Sequence, residues 1–184
     1  MTGLEELLEN ARGQGAAPVE RWNPPYCGDI GLEIRRDGTW LYQGSPILRP
    51  ALVKLFASVL RRDADGRHYL VTPVEKVDVA VEDAPFLAVE MEVRGTGDAQ
   101  RLVLRTNVDD VVVCDAEHPL RFASVGPEGG LKPYLTVRGR LEALLSRTLY
   151  YDLVEIAVTE MRGGAAVLGA WSGGAFFPLT DGQP

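Results

Sequence analysis

Two rhythms of apolar residues alternate along the chain. Leu4, Leu7, Leu8 and Ala11 recur at helical spacing in a charged opening, and the following Gly and Pro residues close a short amphipathic helix and linker over 1–24. From Ile30 the period falls to two: "IGLEIRR" and "TWLYQ" flank Asp37-Gly38, a pairing that predicts a hairpin. "GSPILRPALVKLFASVLRR" then returns to the helical period, with apolar pairs from Ile47 and Leu48 to Val59 and Leu60. It predicts a helix over 46–62, capped by Ser45 and opened by Pro46.

Strands are expected next at 69–74, 77–82, 86–93, 101–106, 111–115, 120–125 and 134–137, separated by Gly- and Pro-rich turns. Leu141, Leu144 and Leu145 predict a second helix near 139–147. Two final strands near 155–161 and 166–170 lead into "WSGGAFFPL". Strands outnumber helices and most connections are short, so the fold class is α+β, mostly antiparallel β.

The stretch from Thr72 to Pro85 resembles the one from Thr106 to Pro119 at an offset of 34 residues. Thr, Val and Pro recur at matching places, and each copy reads valine, two charged residues, valine. In a strand that spacing moves the second valine to the opposite face unless the chain bulges or turns between them. Chance similarity of two Val-rich strands is one reading. Internal duplication is the other, with β-rich units over 25–96 and 97–184, each with a helix.

Composition narrows the function more than it names it. The chain has 184 residues, 46% of them hydrophobic and 24% charged, as expected of a folded globular protein. A net charge of -7 argues against coating long nucleic acid, which needs many Lys and Arg contacts to phosphate. No uncharged run approaches a membrane span and no signal peptide is visible, so a cytoplasmic location is expected. The two cysteines, Cys27 and Cys114, lack metal-ligand spacing, and no metal or cofactor is expected.

Candidate chemistry is sparse. His68 and His118 stand alone, and Ser172 in "GAWSGG" lacks the strand-to-helix setting of a nucleophile elbow. Asp109, Asp110, Asp115 and Glu117 do not follow a calcium-loop pattern, and "CGDIG" has no phosphate-loop lysine. Arginines near turns and aromatics beside glycines remain. Trp40, Tyr42 and Trp171 are candidates for stacking, and Arg49, Arg61 and Arg62 for charge, around a small anionic or nucleotide-like ligand.

The stretch from Cys27 to Phe86, with "PYLTVRGRLEALLSRTLYYDLVEIA" and "GAWSGGAFFPL", closely resembles a bacterial family catalogued as domain of unknown function 1285. The resemblance spans Tyr26 to Leu179. It implies a duplicated, mostly β architecture, a second unit loosely like a pleckstrin-homology fold, and a ligand site at the junction of the units with a part in signalling. It offers no catalytic residues. The expectation is therefore a non-catalytic binding module whose site includes the six residues just named. A hydrolase using Asp29 or His68 and a protein-interaction scaffold are the alternatives.

Overall fold

A computed structural model describes residues 17–127 and 129–181. The expected N-terminal helix around Leu4 to Ala11 lies outside the described residues. The chain divides into two compact units. One runs to Pro85 and includes Gly139–Leu141, and the other comprises Phe86–Arg138 and Glu142 onward. The division falls at Pro85 rather than near 96 because the strand that starts at Phe86 pairs wholly within the second unit.

In the first unit, strands β1 (Leu32–Ile34), β2 (Trp40–Tyr42) and β3 (Ser45–Pro46) form an antiparallel meander. Helix α1 (Pro50–Ser58) leads to a second meander, β4 (Leu60–Arg62), β5 (His68–Val71) and β6 (Lys76–Val81). The two join through parallel pairing of β1 with β6, giving the order β3-β2-β1-β6-β5-β4. At the Asp37-Gly38 turn, Gly38 N–H donates to Arg35 O and Gly38 has φ +84°, a left-handed conformation that glycine adopts without cost.

The first helix is shorter than its apolar periodicity. Ser45 and Pro46 pair with Tyr42 and Leu41, and Ile47 N–H continues this pairing to Trp40 O. Helix α1 therefore starts at Pro50, whose missing N–H costs nothing at the first position, and Arg49 replaces Ser45 as the N-cap residue. At the other end, Leu60–Arg62 leaves the helix to pair with His68–Leu70.

The second unit repeats this topology. Strands β7 (Phe86–Arg94), β8 (Arg101–Thr106) and β9 (Val111–Val113) form one meander, and β10 (Leu120–Ser124), β11 (Leu131–Arg138) and β12 (Leu141–Leu145) the other. Parallel pairing of β7 with β12 joins them in the order β10-β11-β12-β7-β8-β9. Helix α2 (Arg147–Glu155) then leads to a three-stranded antiparallel sheet, β13 (Val158–Arg162), β14 (Ala165–Ser172) and β15 (Ala175–Pro178).

The second helix begins eight residues later than its expected start, because Leu141, Ala143 and Leu145 alternate inward along a strand. Leu141 and Leu145 fit both periods while Leu144 fits only the helical one, and the two-residue turn at Gly139-Arg140 decides for the strand. Ser146 supplies the real cap, its Oγ accepting from Leu149 N–H at 3.3 Å.

The repeated stretch marks a turn rather than a bulge within a strand. Buried Thr72 accepts from Glu75 N–H through Oγ1, between β5 and β6. Buried Thr106 accepts from Asp110 N–H in the same way, between β8 and β9. The second turn is one residue longer, and Asp109 absorbs the difference at φ +67°.

Candidate functional site

The six residues proposed from the sequence do not form one surface. Strand pairing puts Trp40, Tyr42 and Arg62 on the face of the first sheet that carries Leu32, Ile34 and Leu70, and Arg61 on the opposite face with Tyr69 and Asp78. Trp40 is 1% exposed and stacks on Phe56 of α1, with ring centroids 6.1 Å apart. Its indole is core, closed to a ligand. The hydroxyl of half-buried Tyr42 accepts from Gln43 at 3.2 Å. Arg49 is exposed at the start of α1, and Arg62 donates to Gly66 O at 3.2 Å. Trp171 lies in the second unit, where its Nε1 donates to Glu160 at 3.1 Å and the Arg162 guanidinium covers its ring.

Arg61 is a structural cation. Its guanidinium donates to Asp63 at 2.5 Å and to the carbonyls of Val19 and Trp22 at 2.8 and 2.7 Å. These bonds fasten the segment before β1 across the sheet. Lys76 reaches the same carboxylate at 3.2 Å and lies 4.5 Å from the Tyr69 ring centre. Burial works against the charged Asp63, but Arg61 and Lys76 outweigh it and hold its pKa below the usual range. Tyr69 donates to Asp65 at 2.7 Å, and that bond, with burial, pushes the phenol up to about 12. Nearby, Asp78 accepts from Arg67 at 2.7 Å and from Tyr26. Sequence reasoning missed this network because its members come from three strands, the turn between β4 and β5, and Tyr26 ahead of β1.

The other candidate groups are also occupied by local structure. Asp29 accepts from Gly31 N–H, Arg105 contacts Asp109, and Arg138 contacts Asp110. Asp115 accepts from the backbone of Glu117 and His118, and its Oδ1 lies 3.2 Å from His118 Nδ1. Although burial opposes the Asp115 anion, these donors hold its pKa low. Ser172 ends β14 fully buried, donating to Cys114 O at 2.6 Å and accepting from Leu102 N–H at 2.9 Å. It is a tie between segments, and the two glycines after it form the β14–β15 turn at φ of +57° and +78°.

Two concavities open within the second unit. One, of about 390 Å³, lies along β9 and is lined by Val111, Val112, Val113 and Val137, with Asp110, Asp115, His118 and Arg138 at its ends. Its carboxylates make it a poor anion site. The other, of about 380 Å³, has an apolar wall that includes Leu131, Pro133, Leu144 and Leu145. Lys132 of β11 and Arg147 and Tyr150 of α2 bring two cations and a phenol to it. None of its described lining residues is acidic. Arg147 occupies the first position of α2, where the helix dipole already presents positive potential and no acidic residue offsets it. A cation there, after a Ser cap, is the signal in "SRTLYYD" that could have pointed to this place.

Family models for the N-terminal domain of unknown function DUF1285 and for the C-terminal domain of the DUF1285 protein of unknown function match residues 17–84 and 85–179. The chain belongs to the DUF1285 family. A DUF1285 crystal structure from Silicibacter pomeroyi DSS-3 superposes with a TM-score of 0.84 at 49% identity, over 95% of this chain and 94% of that one. A second, from Shewanella baltica OS155, gives a TM-score of 0.53 at 31% identity, over 68% of this chain and 91% of that one. No curated protein matches the chain. The split between the two DUF1285 domains coincides with the structural division at Pro85. Among the described residues, no helix is long and apolar enough to cross a membrane.

Proposed function

We propose that the protein is a non-catalytic module, acting in signalling, that binds a small anionic ligand in the concavity formed by β11, β12 and the start of α2. The observation that carries this reading is the meeting of Lys132 and Arg147 with an apolar wall and the Tyr150 ring, with no carboxylate among the described lining residues. Such a site favours an acid on a compact apolar or planar body, whose anionic end meets the cations while the body displaces water from Leu131, Pro133 and Leu144. A nucleotide base or an aromatic carboxylate has that form. The hydrolytic alternative through Asp29 or His68 draws no support from the two concavities, whose lining residues include neither.

Isothermal titration of the whole chain against inorganic phosphate, AMP, benzoate and octanoate tests the proposal. Saturable heat from at least one probe, weakened tenfold or more in Lys132→Glu/Arg147→Glu, is the expected result. Silence from all four probes, or equal affinity in the double variant, would overturn it.

A further inference from the structure

The three-stranded sheet of the second unit ends in an open edge. Among the described residues β13 pairs only with β14, and Met161 and Leu168 are 70% and 44% exposed. The main chain fixes which groups this edge offers. Gly163 and Gly164 have φ of +58° and +82°, as in the two-residue hairpin turn that needs positive φ twice. Arg162 and Ala165 are then the bonded pair that closes the hairpin, and bonded and non-bonded pairs alternate from there. Glu160 and Val158 turn their main chain inward to β14, while Thr159 and Met161 turn theirs outward. An independent bond agrees: Leu168, opposite Thr159, gives its carbonyl to Leu179 N–H, away from β13.

Such an edge can accept a further strand, and its own sequence fits it in one register. Outward groups must meet outward groups, so a two-fold pairing of β13 with itself can centre only on Thr159, Glu160 or Met161. Centring on Thr159 runs into Ile156, which is helical at φ −94° and ψ −1°, and sets Glu160 opposite Val158. Centring on Glu160 sets two carboxylates directly opposite each other. Centring on Met161 pairs the thioethers and places each Glu160 opposite the second copy's Arg162. The Arg162 guanidinium is already positioned, 4.4 Å from the Phe176 ring centre, and Glu160 is held by the Trp171 indole. On the other face, exposed Ala166 and Leu168 flank Met161 and provide apolar surface to cover.

We propose that the protein forms a homodimer by antiparallel pairing of β13 with β13 of a second copy, centred on Met161 and locked by two Glu160–Arg162 ion pairs. Sedimentation velocity of the full chain across a concentration series should show a monomer–dimer equilibrium. Glu160→Arg and Arg162→Glu should each weaken it tenfold or more, and the double swap should restore it to within about threefold of the parent, because it recreates both pairs. Residues opposite each other in a bonded pair lie about 5.5 Å apart at Cα, within disulfide reach. With exposed Cys27 removed as Cys27→Ser, Met161→Cys should therefore yield a covalent dimer on mild oxidation. A monomer at every concentration, single swaps without effect, a double swap that fails to restore, or no cross-link at position 161 would each overturn the proposal.

Discussion

Arg61→Ala separates a structural cation from a ligand clamp. The side chain is 8% exposed and its partner Asp63 19%, so neither charge is well screened by water. Truncation removes two charge-assisted bonds to the carbonyls of Val19 and Trp22, worth about 1.5–3 kcal/mol each when one partner is charged. It also leaves Asp63 with Lys76 as the remaining cation of its network, where breaking a fully buried pair costs about 3–5 kcal/mol. These losses overlap and Asp63 keeps part of its compensation, which places the net cost at about 3–4 kcal/mol. Arg62→Ala on the neighbouring position loses a single bond to Gly66 O and should cost only about 0.5–1 kcal/mol. Urea unfolding of the full chain measures both, and amide exchange locates the effect, since the backbone from Val19 to Cys27 should lose protection only in the Arg61 variant. If Arg61→Ala lies within about 1 kcal/mol of Arg62→Ala, the anchoring argument is wrong.

Two further outcomes follow from the turns and the polar network. Thr72→Val and Thr106→Val each delete a buried hydroxyl that caps a tight turn and should cost about 1–2 kcal/mol by thermal or urea unfolding, whereas Thr→Ser at either position should retain most of the stability. Folding raises the Tyr69 pKa to about 12, so the folded state holds that proton more tightly. Its contribution is complete below the unfolded value near 10 and drains away as the pH rises towards 12. Absorbance titration of tyrosinate should show a late-ionising group that disappears in Tyr69→Phe, along with part of the alkaline loss of stability.

The strands were legible because a half-buried strand writes its alternation locally, as Leu102, Leu104 and Thr106 do in β8. Both helix ranges failed where strand pairing takes residues that helical spacing also admits: Ser45–Pro46 and Leu60–Arg62 at the ends of the first, and Leu141–Leu145 in the second. Pairing of Ser45–Pro46 with β2, and of Ala143–Leu145 with β7, depends on strands far away in sequence or on a turn read as a helix start. The site was less legible still. Trp40 and Arg61 carry the residue types that binding sites use, but register sends one into the core and the other onto a carboxylate. Lys132, Arg147 and Tyr150 meet only after β11, β12 and α2 are in place, and no local spacing announces that.

The repeat in the sequence and the repeat in the fold are different repeats. Thr72 lies in the turn between the second and third strands of β4-β5-β6, and Thr106 in the turn between the second and third strands of β7-β8-β9. At the level of a three-strand meander the two copies correspond. At the level of the whole sheet they do not, because β6 is central in its sheet while β9 is an edge. Each sheet joins two meanders through a parallel pair formed by its first and last strands, so exchanging the order of the meanders leaves every pairing intact. Read backwards, β3-β2-β1-β6-β5-β4 has the same form as β10-β11-β12-β7-β8-β9. The meander with its Thr-capped turn is therefore the smallest unit that recurs in both sequence and structure. A helix can follow either the first meander, as α1 does, or the second, as α2 does, without disturbing the sheet.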